Sequence, residues 1–344
     1  MLLESDPLTH GLIWCVFVVA IVLASAWLLF FIVRLALGKG ILSRRCFPTI
    51  SGRTAPWGLP EIVFMLFLYL ILVNFSHGII SLVLPIPASQ NATAFDHTAP
   101  SNAKPAQSEL QPQKDDPLRQ EHQLMILIRR SGNRPIVLVV CFLAAVVFAP
   151  IAEEFLFRVV LQSGLEATFH LNFSSRFVRA ALPVLLSSLI FAAVHFRAKI
   201  PTADKTGIIT DADVDQQFNL LLTTILTNTL IVIFGILFLR FFSKADWKDL
   251  GLHGFRHWKN DLSGTFFLFL AIIIPLLTLQ IVFHTLLSGT VTPDPFPLFF
   301  LAMILGTLFF RTRRLFPSVC LHALINSFSF LILLLTLYCA GNKN

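Results

Sequence analysis

Long apolar runs alternate with polar segments along the chain, and several runs reach the ~20 residues that a helix needs to cross a bilayer. The pattern predicts an all-α fold, a polytopic bundle of about eight transmembrane helices. The predicted spans are about Gly11–Leu37, Pro60–Leu84, Pro135–Gly164, Ala180–Phe196, Phe218–Phe242, Gly264–Leu287, Phe296–Phe310 and Phe316–Ala340. The third is longer than the hydrocarbon core at ~1.5 Å per residue, so we expect it to tilt or to emerge into water.

Two polar segments interrupt the apolar pattern. Residues 85–123 are rich in Pro, Ala, Gln, Ser and Asp and lack apolar periodicity, which predicts a disordered loop. Residues 197–216 form a second polar loop with four Asp. The first loop divides the chain into residues 1–134, with two N-terminal transmembrane helices and the loop, and residues 135–344, which carry every motif discussed below.

Composition narrows the class of protein. The 344 residues are 56% hydrophobic and only 13% charged, whereas a soluble domain is roughly 25% charged. We therefore expect an integral, multi-pass membrane protein whose main partner is the lipid bilayer. Five cysteines are scattered without metal-ligand or redox spacing, and we interpret them as small buried apolar residues. The acidic N-terminus and the long first run predict no cleavable signal peptide.

The net charge of +7 indicates an orientation. Cationic residues gather in four loops, all on one side of an eight-span bundle, and that side is predicted to be cytoplasmic, with both termini outside. These residues are Lys39, Arg44, Arg45, Arg53, Arg176, Arg179, Arg240, Lys244, Lys248, Arg256, Lys259, Arg311, Arg313 and Arg314. No dense basic stripe lies outside the loops, so no nucleic-acid partner is expected.

A pair of adjacent glutamates in the third span is the first candidate site. Ionisable groups are costly in hydrocarbon, so those that remain are functional candidates. Glu154 and Arg158 are four residues apart, share a helical face and can form an ion pair. Glu153 is turned by ~100° and lacks that partner, which suits a base that takes a proton from water. The alternative is an interfacial charge cluster at a helix end.

Two further motifs lie in later spans. Phe191 and His195 are four residues apart, and so are His322 and Asn326, so each pair shares a helical face. Two donors on one face, as in His322 and Asn326, can hold an oxyanion. The alternatives are a lone interfacial histidine at position 195 and polar contacts between helices at positions 322 and 326.

Taken together and in this order, the motifs resemble the CAAX protease and bacteriocin-processing family of intramembrane proteases, also called the CPBP or ABI family, which includes the type II CAAX prenyl endopeptidases. The motifs that carry the resemblance are Glu153-Glu154-x-x-x-Arg158, Phe191-x-x-x-His195 and His322-x-x-x-Asn326. The resemblance covers about Val139 to Phe330, and it implies that residues 135–344 form the protease core.

The resemblance implies an intramembrane endopeptidase. Glu153, assisted by His195, would activate water, and His322 with Asn326 would stabilise the oxyanion. Glu154 and Arg158 would hold the helix and tune the pair, and Phe191 would give structural support. The substrate would be a membrane-associated or prenylated-type peptide or protein, and the expected location is a bacterial inner (cell) membrane.

We expect no cofactor. A catalytic zinc takes three protein ligands and one open position, and the chain has no His-Glu-x-x-His motif. The alternative is a metal held by Glu153, His195 and His322.

Two other functions stay open. Buried Glu, His and Arg also form proton relays, so a proton-coupled transporter is one alternative. A non-catalytic membrane immunity or scaffold protein is the other.

The predicted spans also pose a geometric problem. They put Glu153 in the inner half of the membrane and His195 near the outer end. For the two to meet, we expect the fourth span to begin later, with residues 171–182 as an interfacial segment.

Overall fold

The structure is a computed structural model that describes residues 7–37, 47, 54–84, 135–195, 211–253, 258–287 and 295–341. Within these ranges the chain forms eight helices, which confirms the all-α bundle. They are α1 (Pro7–Ala36), α2 (Leu59–Val83), α3 (Pro135–Asn172), α4 (Arg176–Val194), α5 (Asp211–Phe241), α6 (Trp258–Leu287), α7 (Pro295–Thr312) and α8 (Leu315–Gly341). The predicted disordered loop at 85–123 lies outside the described residues.

Seven of the helices in the described ranges are long and apolar enough to cross a membrane. The chain is therefore an integral, multi-pass membrane protein. The remaining helix, α4, has a shorter apolar stretch, Val178–Val194. Large apolar side chains on α1 and α2 face outward, as expected for helices that contact lipid.

Several predicted helix ends were wrong. The third helix continues past Gly164 to Asn172, and α5 begins at Asp211, inside the segment predicted to be a polar loop. Most of residues 171–182, predicted to be an interfacial segment, belong to α4 instead. Apolar periodicity marks the part of a helix that lies in the membrane, whereas these polar turns continue the same backbone hydrogen bonding beyond it.

Helix α7 occupies the centre of the bundle, and two thirds of its apolar window is buried. One apolar cluster joins α1, α6, α7 and α8, and a second joins α2, α3 and α5. Helix α4 packs along α7 and against α3. The helices with the predicted site residues, α3, α4 and α8, are therefore held together around α7.

The described ends of the helices that flank the cationic loops meet at one end of the bundle. From α7, Arg311 donates to the backbone carbonyls of Leu35 (2.9 Å) and Phe47 (2.8 Å), which lie at the end of α1 and beyond it. Arg313 pairs with Glu166, near the end of α3. These contacts place the ends of α1, α3 and α7 on the same side of the bundle, and the identity of that side as cytoplasmic stays a prediction.

The loop between α5 and α6 reaches the same end of the bundle, where Gly251 contacts the start of α8. The backbone N–H of Leu315 donates to the carbonyl of Gly251 at 3.0 Å, between α5 and α6. Gly251 has φ +70°, and a Cβ there would lie 2.9 Å from the Leu315 nitrogen. A side chain at this position would meet both backbone strain and a clash, so the turn requires glycine.

Candidate active site

The two glutamates lie between two wider turns of α3. The segments Leu143–Phe148 and Phe155–Gln162 are π-helical, and the α-helical stretch Ala149–Glu154 separates them. Pro150 lacks the N–H that an α-helix would use at this point, which favours irregular hydrogen bonding nearby. Short π-helical segments are rare and often occur at functional sites.

Glu154 belongs to a fully buried ion pair. Its Oε2 lies 3.2 Å from Arg158 Nε, and both side chains are 0% exposed, which confirms the pairing expected from their spacing. Arg158 also donates to Ser187 Oγ on α4 at 3.4 Å, and its guanidinium lies over the Phe191 ring. Arg158 thus ties the glutamate helix to α4.

Glu153 faces two imidazoles instead of a permanent cation. Its Oε2 lies 3.8 Å from His195 Nε2 and 3.7 Å from His322 Nε2, and its side chain is 26% exposed. These distances are too long for direct hydrogen bonds. Atoms with this separation can instead share one water molecule at ~2.8 Å from each. The arrangement therefore suits a water molecule held between the carboxylate and an imidazole.

His195 is oriented by the end of its own helix. It follows the last residue of α4, and its Nδ1 lies 2.8 Å from the carbonyl oxygen of Phe191. Because a carbonyl only accepts, Nδ1 carries a proton, and this contact turns Nε2 toward Glu153. Phe191 is fully buried and contacts the rings of both His195 and His322, which fits its predicted supporting position.

His322 lies between the two glutamates. Its Nδ1 is 3.1 Å from Glu154 Oε1, and its Nε2 faces Glu153 at 3.7 Å. The ring is nearly fully buried, so these contacts form away from bulk water. Helix α8 therefore links the paired glutamate to the one that faces both histidines.

Asn326 makes a different contact from the one expected of it. Its Nδ2 donates to the backbone carbonyl of Ala145 at 2.8 Å, within the first π-helical segment. One N–H of its carboxamide therefore joins α8 to α3. Polar contact between helices was the alternative expected for this position. A carboxamide has two N–H groups, so one donor is left for an oxyanion.

Glu153 and His195 meet because α3 and α4 form a hairpin with equal arms. Glu153 lies 19 residues before Asn172, the last residue of α3, and His195 lies 19 residues after Arg176, the first residue of α4. At ~1.5 Å per residue the two arms have about the same length, so both side chains reach the same depth. The late start predicted for the fourth span is not needed.

Glu153, His195 and His322 are the residues that would have to hold a zinc ion at this site. Ligand atoms around tetrahedral zinc at ~2.0–2.1 Å lie about 3.3 Å apart. The Glu153 oxygen is farther than that from both imidazole nitrogens, at 3.7 and 3.8 Å. Among the residues that the structure describes, no three His, Cys, Asp or Glu side chains are arranged to hold a metal. As placed, the Glu153 oxygen and the two imidazole nitrogens are spaced more widely than the ligands of a tetrahedral zinc ion.

Several polar contacts around the site were missed from the sequence. Gln162 donates to the Gly306 carbonyl at 3.1 Å and to Glu166 at 3.3 Å, and Ser187 accepts from Arg158. Gly306 permits this approach, because a Cβ there would lie 2.9 Å from Gln162 Oε1 and 3.2 Å from Arg158 Nη1. The available signal was helical spacing, since Gln162 is four residues from both Arg158 and Glu166.

A family model described as type II CAAX prenyl endopeptidase Rce1-like matches residues 135–328, which is more than half of the chain. The chain belongs to this family. The Rce1-like segment contains every motif residue from Glu153 to Asn326. No curated protein and no solved structure matches the chain. Membership confirms the predicted resemblance and assigns the chain to a class of membrane proteases.

Proposed function

We propose that this Rce1-like chain is an intramembrane endopeptidase that hydrolyses a peptide bond in a membrane-associated substrate of the prenylated CAAX type. The observation that carries the proposal is the position of the Glu153 carboxylate, 3.8 Å from His195 Nε2 and 3.7 Å from His322 Nε2. Family membership supports the reaction class and the substrate class.

In the proposed reaction, Glu153 accepts a proton from water while the water oxygen bonds to the substrate carbonyl carbon. His195 orients the same water through Nε2. The electron pair of the carbonyl moves to its oxygen, which becomes the oxyanion. The proton then passes from Glu153 to the amide nitrogen as the C–N bond breaks, which leaves a carboxylic acid, an amine and the original carboxylate.

His322 and Asn326 are the proposed donors to the oxyanion. Asn326 would use the carboxamide N–H that does not bind Ala145, and His322 would donate from Nε2. For His322 this requires a second ring proton, because Nδ1 donates to Glu154. Glu154 and Arg158 then act by holding His322 and α3 in position.

The test is cleavage of a prenylated CAAX-type peptide by the full chain reconstituted in liposomes. Glu153→Gln removes the base with little change in shape, and we expect kcat to fall at least ~10²-fold. The control is Glu166→Gln, a buried glutamate on the same helix that pairs with Arg313; cleavage should persist. Normal cleavage by Glu153→Gln would refute the proposed base. If Glu153→Gln keeps the full biological effect of the chain although it no longer cleaves the peptide, this would support a non-catalytic scaffold.

A further inference from the structure

Side chains donate to backbone carbonyls in both π-helical segments of α3. In the first, the donor is Asn326, which binds the Ala145 carbonyl. In the second, Ser163 Oγ donates to the Arg158 carbonyl at 3.1 Å, and the indole Nε1 of Trp57 donates to the Val160 carbonyl at 3.2 Å. Trp57 differs from the other two donors because it lies outside the Rce1-like segment.

Trp57 is built into this position. Its side chain is 2% exposed and packs in the cluster that contains Phe155, Val159 and Val160. A Cβ at Gly164 would lie 3.3 Å from Trp57 Cδ1 and 2.8 Å from Ile62, so the glycine allows this docking.

The backbone after Trp57 is also fixed. The backbone N–H of Gly58 donates to Glu61 Oε2 at 2.8 Å, which closes the first turn of α2. Trp57 therefore projects from an anchored helix start.

The hydrogen bond from Trp57 is made to the π-helical segment Phe155–Gln162, which also contains Arg158. A π-helical turn holds one more residue than an α-helical turn, and its loss would rotate the following residues by ~100°. Val160 lies two residues after Arg158, within the same segment. A donor at the Val160 carbonyl therefore favours the π-helical geometry of the segment that carries Arg158.

We propose that Trp57 is a positioning residue for the candidate active site, acting through the π-helical segment Phe155–Gln162. The inference rests on the proposed function. Residues ahead of the Rce1-like segment thereby take part in aligning the Glu153, His195 and His322 site, although they carry none of its motifs.

Trp57→Phe tests the hydrogen bond, since it keeps an aromatic ring and removes the N–H. The control is Trp27→Phe, which removes the same kind of bond at a half-exposed indole, since Trp27 Nε1 donates to the backbone carbonyl of Ala271 at 3.0 Å between α1 and α6. We expect Trp57→Phe to lower kcat about tenfold with KM unchanged, because small misplacement of reacting groups slows chemistry. Trp27→Phe should leave both constants unchanged. Equal kcat in the two variants would overturn the inference.

Hydrogen–deuterium exchange gives a second readout that needs no activity. Peptides covering residues 155–166 should exchange faster in Trp57→Phe than in Trp27→Phe, and Glu153→Gln should not show this increase. Unchanged exchange in Trp57→Phe would overturn the inference even if no substrate is cleaved. Absence of cleavage by the wild-type chain would count against the proposed function alone.

A second variant covers the case in which Trp57→Phe does not fold. Gly164→Ala keeps the indole but adds a methyl group that would lie 2.8 Å from Ile62 Cδ1 and 3.3 Å from Trp57 Cδ1. We expect the same local increase in exchange and the same fall in kcat. Wild-type values for both would overturn the inference.

Discussion

Removing the Arg158 cation should destabilise the bundle strongly, because its partner stays buried. Arg158 and Glu154 are both 0% exposed, and Nε lies 3.2 Å from Oε2. At an effective dielectric constant of about 20, two unit charges at this distance interact by about 5 kcal/mol before desolvation is counted. Arg158→Met leaves the Glu154 carboxylate in the interior with His322 as its remaining partner. We expect the free energy of unfolding to fall by about 3–5 kcal/mol.

The assay is unfolding of the purified chain in detergent, followed by temperature or by denaturant. Arg313→Met is the comparison, since Arg313 is 22% exposed and its buried partner Glu166 also accepts a hydrogen bond from Gln162, so this loss should cost less than the loss of Arg158.

A double variant separates charge burial from lost packing. Arg158→Met with Glu154→Leu removes both charges and should recover most of the stability, because an apolar pair has no stranded charge. The reasoning would be refuted if the free energy of unfolding of Arg158→Met lay within about 1 kcal/mol of the wild-type value. A double variant as unstable as the single one would also refute it.

Two further predictions concern packing and metal dependence. Gly306→Ala should lower the free energy of unfolding by about 1–3 kcal/mol, because its Cβ would meet Gln162 and Arg158. Gly78→Ala, where a Cβ meets nothing within 4 Å, should leave stability unchanged or raise it by up to about 1 kcal/mol in the same unfolding assay; equal losses in both would contradict this. Peptide cleavage should survive a zinc chelator, and loss of activity that added zinc restores would instead support metal-dependent chemistry.

Local spacing predicted the parts of the site that lie on one helix. Glu154 and Arg158 are four residues apart, and the structure pairs them. Counting outward from the turn between α3 and α4 would also have placed Glu153 and His195 at the same depth. That count was missed because apolar composition, which set the predicted span limits, does not show where the polar ends of a helix stop.

Contacts between helices that are far apart in the sequence could not be predicted from residue spacing. The spacing of His322 and Asn326 gave a shared helical face, but not that one would face the glutamates and the other the Ala145 carbonyl. The π-helical segments had no sequence signal beyond Pro150, and their carbonyls accept hydrogen bonds from donors elsewhere in the chain. Trp57 is such a donor, and it lies 103 residues from Val160.

The hydrogen bonds from Arg311 to the carbonyls of Leu35 and Phe47 limit where the chain could be cut. The Rce1-like segment begins at residue 135, yet Arg311 lies within it, is 5% exposed and donates to the carbonyls of Leu35 and Phe47. A fragment cut at residue 135 would remove two backbone acceptors of a buried guanidinium. The residue at which the family match begins is therefore not the start of a unit that can be cut out without loss of stability in the remainder.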